Sequence, residues 1–145
     1  MFRVPTFLGS SSIHGFGVFT AGPLPGGTLL WEFTPGVDQA LREDELQAFP
    51  PSWREWFERY CYLNDEGLYI FCGDNARFMN HSPTPNCDDS GILTVTLRDI
   101  AAGEELTCDY RSFDRMSRAR GEPFGEGNVL EEAQRMMESV RESVR

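Results

Sequence analysis

Three short segments of this 145-residue chain carry residue types that can do chemistry. Asn80-His81-Ser82-Pro83-Thr84-Pro85-Asn86 sets polar side chains between prolines on a constrained loop, the kind of place where function concentrates. Asp109-Tyr110 follows a β-rich run and offers either a surface pair or a buried phenol with a satisfied hydroxyl. Gly15-Phe16-Gly17 allows a close approach of backbone to a ligand, although a lone G-x-G equally marks a β-turn or bulge. Cys61, Cys72, Cys87 and Cys108 are separated by 10, 14 and 20 residues. That is not the close pairing of a structural zinc site, and it reads as reduced, mostly buried thiols.

The elements that must position these segments are mainly short strands. Residues 15–19, Thr28-Leu29-Leu30-Trp31-Glu32-Phe33, Gly67-Leu68-Tyr69-Ile70-Phe71, residues 91–97 and residues 104–110 are apolar or β-branched runs set off by glycine and proline. Residues 38–60 change character. Asp38 or Asp44 is placed to cap a helix, and Pro50-Pro51 interrupts it. Ser52 can then cap a second helix, in which Trp53, Trp56, Phe57 and Tyr60 share one face and are expected to pack into the core. Residues 114–127 read as a linker, and 128–145 as an amphipathic helix capped by Asn128 with an apolar stripe from Val129 to Val144.

Composition narrows the function classes. One ordinary domain of this size buries enough surface for a core without disulfides or metal. There are 23 acidic residues against 13 basic ones, a net charge of −10, whereas a duplex-binding domain should carry a basic stripe, so no direct nucleic-acid partner is expected. An acidic surface favours a basic ligand, although negative charge also simply keeps proteins soluble. No apolar run reaches the roughly 20 residues that span a bilayer, and the start lacks a signal-peptide core, so a cytoplasmic protein without membrane partners is expected. All basic residues are arginine; the chain contains no lysine.

Taken in order, the motifs resemble the SET-domain protein-lysine methyltransferases. His14-Gly15-Phe16-Gly17-Val18-Phe19 is like the family's opening G-x-G segment. Arg77-Phe78-Met79-Asn80-His81-Ser82, followed by Pro85-Asn86-Cys87, is like its R-F-x-N-H-S…P-N signature. Gly103-Glu104-Glu105-Leu106-Thr107-Cys108-Asp109-Tyr110 is like its G-E-E-L-x-x-D-Y signature, and Trp31-Glu32-Phe33 is like a short V-E-Y strand. The resemblance spans about residues 6–113.

It implies a mostly β fold with short helices: the β-clip of small sheets, a C-terminal pseudoknot and an added C-terminal helix. The SET domain would occupy 1–113, with a helical insertion at 38–60. It also implies S-adenosylmethionine as cofactor, with Gly15, Phe16, Gly17, Asn80, His81, Tyr60 and Phe113 around it. A lysine-containing basic protein or peptide would be the substrate, with Tyr62 and Cys108 lining its channel and Tyr110 as the catalytic residue. The alternative is an inactive SET-like module that binds basic tails, and retention of Asn80, His81 and Tyr110 favours the enzyme.

Two departures shape the remaining expectations. Pro83 stands where many members carry a zinc-binding cysteine, and no cysteine follows Cys108, so no metal is expected. Phe113, Phe124 or the C-terminal helix would then close the site, or that helix would pack on the domain or form a homodimer of an otherwise monomeric chain. Cys108 stands where the family commonly has Phe or Tyr, which implies room for di- or trimethyl products. Small size, the missing zinc segment and the all-arginine basic set point to a bacterial or viral form, acting at home or delivered into a host cell.

Overall fold

The computed structural model describes residues 1–120. The expected C-terminal helix and Phe124 lie outside the described residues. Three small sheets make up the fold, in the orders β1-β2-β10-β7, β3-β9-β8 and β4-β6-β5. The first holds β1 (Thr6–Ser10), β2 (Phe16–Thr20), β10 (Glu105–Cys108) and the two-residue β7 (Asn80–His81). The second holds β3 (Leu29–Glu32), β8 (Cys87–Asp89) and β9 (Leu93–Thr96); the third holds β4 (Gln39–Leu41), β5 (Cys61–Leu63) and β6 (Tyr69–Phe71).

The first sheet positions the site. β1 and β2 form a hairpin with Thr6 opposite Thr20 and Ser10 opposite Phe16. β10 then pairs antiparallel with β2 through Glu105–Phe19 and Leu106–Val18, and parallel with β7 through Thr107–Asn80 and Cys108–His81. A parallel pair needs a long crossover, and the chain from β7 to β10 supplies it with β8 and β9. Val18, Leu106 and Cys108 are buried together with Leu24, Leu30, Met79, Cys87, Ile100 and Phe113. Leu106 and Cys108 put one face of β10 into this core, while Glu105 and Thr107 alternate onto the other face, where Ser11, Asn80 and Asn86 bond to them.

Three local readings are corrected by the structure. The first helix, α1 (Glu43–Gln47), has Arg42 rather than Asp38 or Asp44 at its N-cap; the Arg42 amide is held by the Glu45 carboxylate at 2.8 Å. Asp38 is buried and accepts from the Thr34 and Gly73 amides at 2.7 and 2.9 Å, so it ties a loop to the third sheet instead of capping. The second helix, α2 (Pro51–Tyr60), begins before Ser52: Pro50 is its N-cap and Pro51 its first residue, where a missing N–H costs nothing.

The third correction concerns the aromatic stripe of α2, which is not core. No residue of this helix is buried; Trp53 is 58 % and Trp56 44 % exposed. The stripe packs on one side only: Phe57 stacks on Phe49 at 4.9 Å, and Trp56 and Phe57 meet Phe71 of β6 at 5.2 and 5.4 Å. The far side is an apolar groove lined by Ser52, Trp53, Trp56 and Phe57. Further on, the segment expected to run as a linker from 114 includes a helix, α3 (Arg115–Arg120). Asp114 starts it by accepting from the Met116 and Ser117 amides at 3.1 and 3.2 Å.

Candidate active site

Tyr110 follows β10, in a 3₁₀ turn that Asp109 opens by accepting from the Arg111 amide at 3.0 Å. Its ring lies 5.4 Å from His81 and 5.9 Å from Phe113, both edge-on. Its hydroxyl donates to the carbonyl of Met79, the residue just before Asn80. The parallel β7–β10 pair thus brings together residues thirty positions apart in the sequence, as the expected threaded connection demands.

The 80–87 segment grips β10 at both ends. Beyond the β7 pairing, the Ser82 amide donates to the Cys108 carbonyl at 3.0 Å. Asn86, on the far side, donates to the Glu105 carbonyl at 2.7 Å and accepts from the Thr107 amide at 2.8 Å. Asn86 is 4 % exposed, so its amide replaces a neighbouring strand for β10 where water cannot.

His81 is a positioning group. Its Nδ1 accepts the Tyr110 backbone amide at 3.1 Å, which places the proton on Nε2. Burial pushes the imidazole pKa below its ordinary value; Asp109, with an oxygen 3.6 Å from Nδ1, only partly opposes this. Asp109 is itself committed to Arg111 through two guanidinium contacts at 2.9 and 2.7 Å, which hold its carboxyl below the usual range. Nε2 is buried without a hydrogen-bond partner among the described residues.

Tyr110 is a poor base. Burial, with Cys108 and then Asp114 and Glu105 nearby, drives the phenol pKa well above its ordinary value. It stays a neutral hydroxyl that can donate one hydrogen bond and accept others.

The remaining expected residues fall into two groups. Gly15 occupies a turn at φ +47°, and its carbonyl accepts from the Ser11 amide at 2.8 Å. Phe16 opens β2 with its side chain 61 % exposed and edge-on to Phe78 at 6.3 Å. Asn80 joins this group directly: its amide donates to the His14 and Phe16 carbonyls, each at 3.0 Å. Tyr60, at the end of α2, touches Phe78 at 5.7 Å and so borders the same corner.

The second group is Tyr62, Cys108, Phe113 and Tyr110. Tyr62 lies edge-on to Phe113 at 4.8 Å and donates its hydroxyl to the Gly91 carbonyl. Cys108 is 2 % exposed, and burial raises its thiol far above the ordinary value, so it is an inert buried thiol rather than a nucleophile. Phe113 stands with these residues, in ring contact with both Tyr62 and Tyr110.

The motifs concealed three residues that shape the site: Ser11, Glu105 and the Met79 carbonyl. Glu105 Oε1 accepts from Asn80 Nδ2 at 2.9 Å, and both its oxygens accept from the Ser11 hydroxyl at 2.8 and 2.9 Å. Gly17 makes room for it. A Cβ at Gly17 would overlap the Glu105 carboxylate and lie 2.7 Å from its carbon and 3.2 Å from Ser11 Cβ. The G-x-G segment therefore leaves space for a side chain from β10.

Comparison with known proteins agrees with this geometry. Residues 15–111 match the SET domain family. The chain is 32 % identical over 132 residues to the Arabidopsis thaliana protein named histone-lysine N-methyltransferase ATX2, covering 77 % of this chain and 11 % of the relative. It is 30 % identical over 142 residues to histone H3-lysine(4) N-trimethyltransferase ATX1 of the same plant, covering 88 % of this chain and 13 % of that one. The chain thus spans about an eighth or less of the length of these relatives, and their plant source lends no support to the bacterial origin expected from composition. Among solved structures, a humanized Chaetomium thermophilum Polycomb Repressive Complex 2 shares the fold with a TM-score of 0.58 at 24 % identity, over 79 % of this chain and 16 % of that one. The chain belongs to the SET-domain family.

Proposed function

We propose that this chain transfers methyl groups from S-adenosylmethionine to the side-chain amine of lysine in a protein substrate. The observation that carries the reading is the Tyr110 hydroxyl on the Met79 carbonyl, with Asn80 and His81 fixed beside it by the β7–β10 pair. Bound S-adenosylmethionine supplies an electrophilic methyl on a sulfonium that departs as a neutral thioether. The residues present suit it: an acceptor-rich corner around Asn80 for its cationic methionyl end, and an unpaired donor at His81 Nε2.

The Tyr110 hydroxyl and the Met79 carbonyl lie together, where they would orient the amine and could stabilise a polarised methyl through weak C–H···O contacts. Neither takes a proton from lysine. A free lysine ammonium has a pKa of about 10.4, and burial beside positive charge lowers it, so the amine arrives neutral without a dedicated base. His81 keeps the backbone of Tyr110 in place and is not a proton shuttle in this reading.

Tyr62, Phe113 and Cys108 would line the lysine stem. Cys108 in place of a bulkier aromatic side chain favours di- or trimethyl products, a reading supported by the relative whose name specifies trimethylation. The histone-lysine activity named for both plant relatives makes a basic histone-like tail the first substrate to try. Four buried free thiols support a reducing, cytoplasmic setting, and no helix among the described residues is long and apolar enough to cross a membrane.

The test is Tyr110→Phe. Radiolabel transfer to a histone tail peptide should fall by about a hundredfold or more, while calorimetry still detects cofactor binding. Near-normal turnover would remove Tyr110 from the mechanism.

A further inference from the structure

The corner around Asn80 holds more acceptors than donors. Asn80 Nδ2 carries two hydrogens but faces three oxygens: the His14 and Phe16 carbonyls at 3.0 Å each and Glu105 Oε1 at 2.9 Å. Glu105 receives one further proton, from the Ser11 hydroxyl, shared between its two oxygens. A carboxylate has about four acceptor positions, so capacity remains. Among the described residues no basic group forms an ion pair with it. The neighbouring Glu104, in contrast, is paired with Arg98 and held down to about 2.

The placement is specific. Glu105 lies on the strand that leads to Tyr110 and points into the space left by Gly17, against the loop that Asn80 ties down. Ser11 holds the carboxylate and also accepts from the Ile13 amide at 2.9 Å, so the charge is fixed to the Ser11–Gly15 turn. An unpaired negative charge among surplus carbonyl oxygens is a cation site by chemistry.

We propose that Glu105 is the residue of this pocket that reads the positive charge of the cofactor, so that the sulfonium form is held more tightly than its demethylated thioether product. This rests on the methyltransferase reading above. At neutral pH S-adenosylmethionine carries one net positive charge, whereas S-adenosylhomocysteine, with the same ammonium and carboxylate, carries none. A fixed carboxylate therefore distinguishes the two, favouring entry of the charged form and departure of the spent one. Attraction for the ammonium, common to both, would add equally to the two affinities.

The experiment is titration calorimetry of the whole chain with S-adenosylmethionine and with S-adenosylhomocysteine. Glu105→Gln preserves size and an acceptor while removing the charge. It should compress the affinity ratio of the two by about tenfold, with the larger loss on the sulfonium form. Glu104→Gln removes the same formal charge from the Arg98 pair and should leave the ratio unchanged. Glu105→Asp, which keeps the charge, should retain most of the ratio even if both affinities drop, and it serves if the glutamine variant does not fold. Equal losses for both ligands, or no loss, would overturn the assignment. Should the wild-type chain bind neither ligand, the methyltransferase reading falls first and this one with it.

Discussion

At the scale of single residues, His81 makes the clearest case for a pH effect. Its Nδ1 holds the Tyr110 amide only while the ring is neutral, and burial holds its folded pKa below the ordinary value of about 6.5. The unfolded chain therefore binds the extra proton first. Stability from this residue is complete above about pH 6.5 and is lost as pH falls toward the lowered folded value. Arg111 nearby favours the neutral ring, whereas Asp109 opposes it. Asp89 acts in the other direction: burial raises it to about 6, so it costs stability as pH rises from about 4 through 6. His81→Asn keeps an acceptor for the Tyr110 amide that cannot be protonated. Thermal unfolding from about pH 7.5 to about pH 5 should show the wild type losing more stability than this variant; parallel curves would remove His81 as the sensor. The residues that the candidate site brings together were mostly readable at this scale, since Asn80, His81 and Tyr110 sit in long motifs. Gly17 was read only in part. Its glycine suggested close approach to a ligand, but the space is taken by Glu105, and no local pattern around Gly17 names a partner on a distant strand.

The secondary-structure elements show where pattern reading stops. β2, β3, β6, β9 and β10 were legible because their runs are apolar or β-branched and set off by turn residues. β7 and β8 were not: two or three residues around Asn80 and Cys87 become strands only because β10 and β9 lie alongside. The helix α2 is the instructive case. A period of 3.6 identifies which residues share a face, but it does not say whether anything covers that face. Trp53 shares the face and is more than half exposed. Trp53→Ala should accordingly cost less than about 1 kcal/mol in denaturant unfolding, whereas Leu30→Ala, at a fully buried position, should cost about 2–5 kcal/mol. A Trp53 cost as large as that of Leu30 would mean that the outer side of α2 is covered in solution.

At the scale of the whole molecule, charge is the property that most concerns substrate choice. A net charge of −10 on 145 residues repels acidic partners and attracts basic ones over distances comparable with the Debye length, about 10 Å at 0.1 M salt. The acidic residues are not spent on each other's neighbours: Asp65, Asp44 and Glu104 pair with arginine, but 23 acids face only 13 basic residues, so most of the excess is unpaired. The candidate site is apolar on the Tyr62–Phe113 side and neutral at Tyr110, so on the proposed reading it would take a lysine side chain and offer little to the residues around it. Attraction for the proposed basic tail would then come mainly from the surface, and surface attraction is screened by salt. Raising ionic strength from about 50 mM to about 300 mM should therefore raise KM for an arginine-rich lysine peptide several-fold while leaving kcat nearly unchanged. Replacing the flanking arginines of the peptide by glutamine should raise KM at low salt and flatten its dependence on salt. If the arginine-rich peptide shows a flat KM, the acidic excess serves solubility alone, and substrate choice must lie in contacts close to Tyr62 and Tyr110.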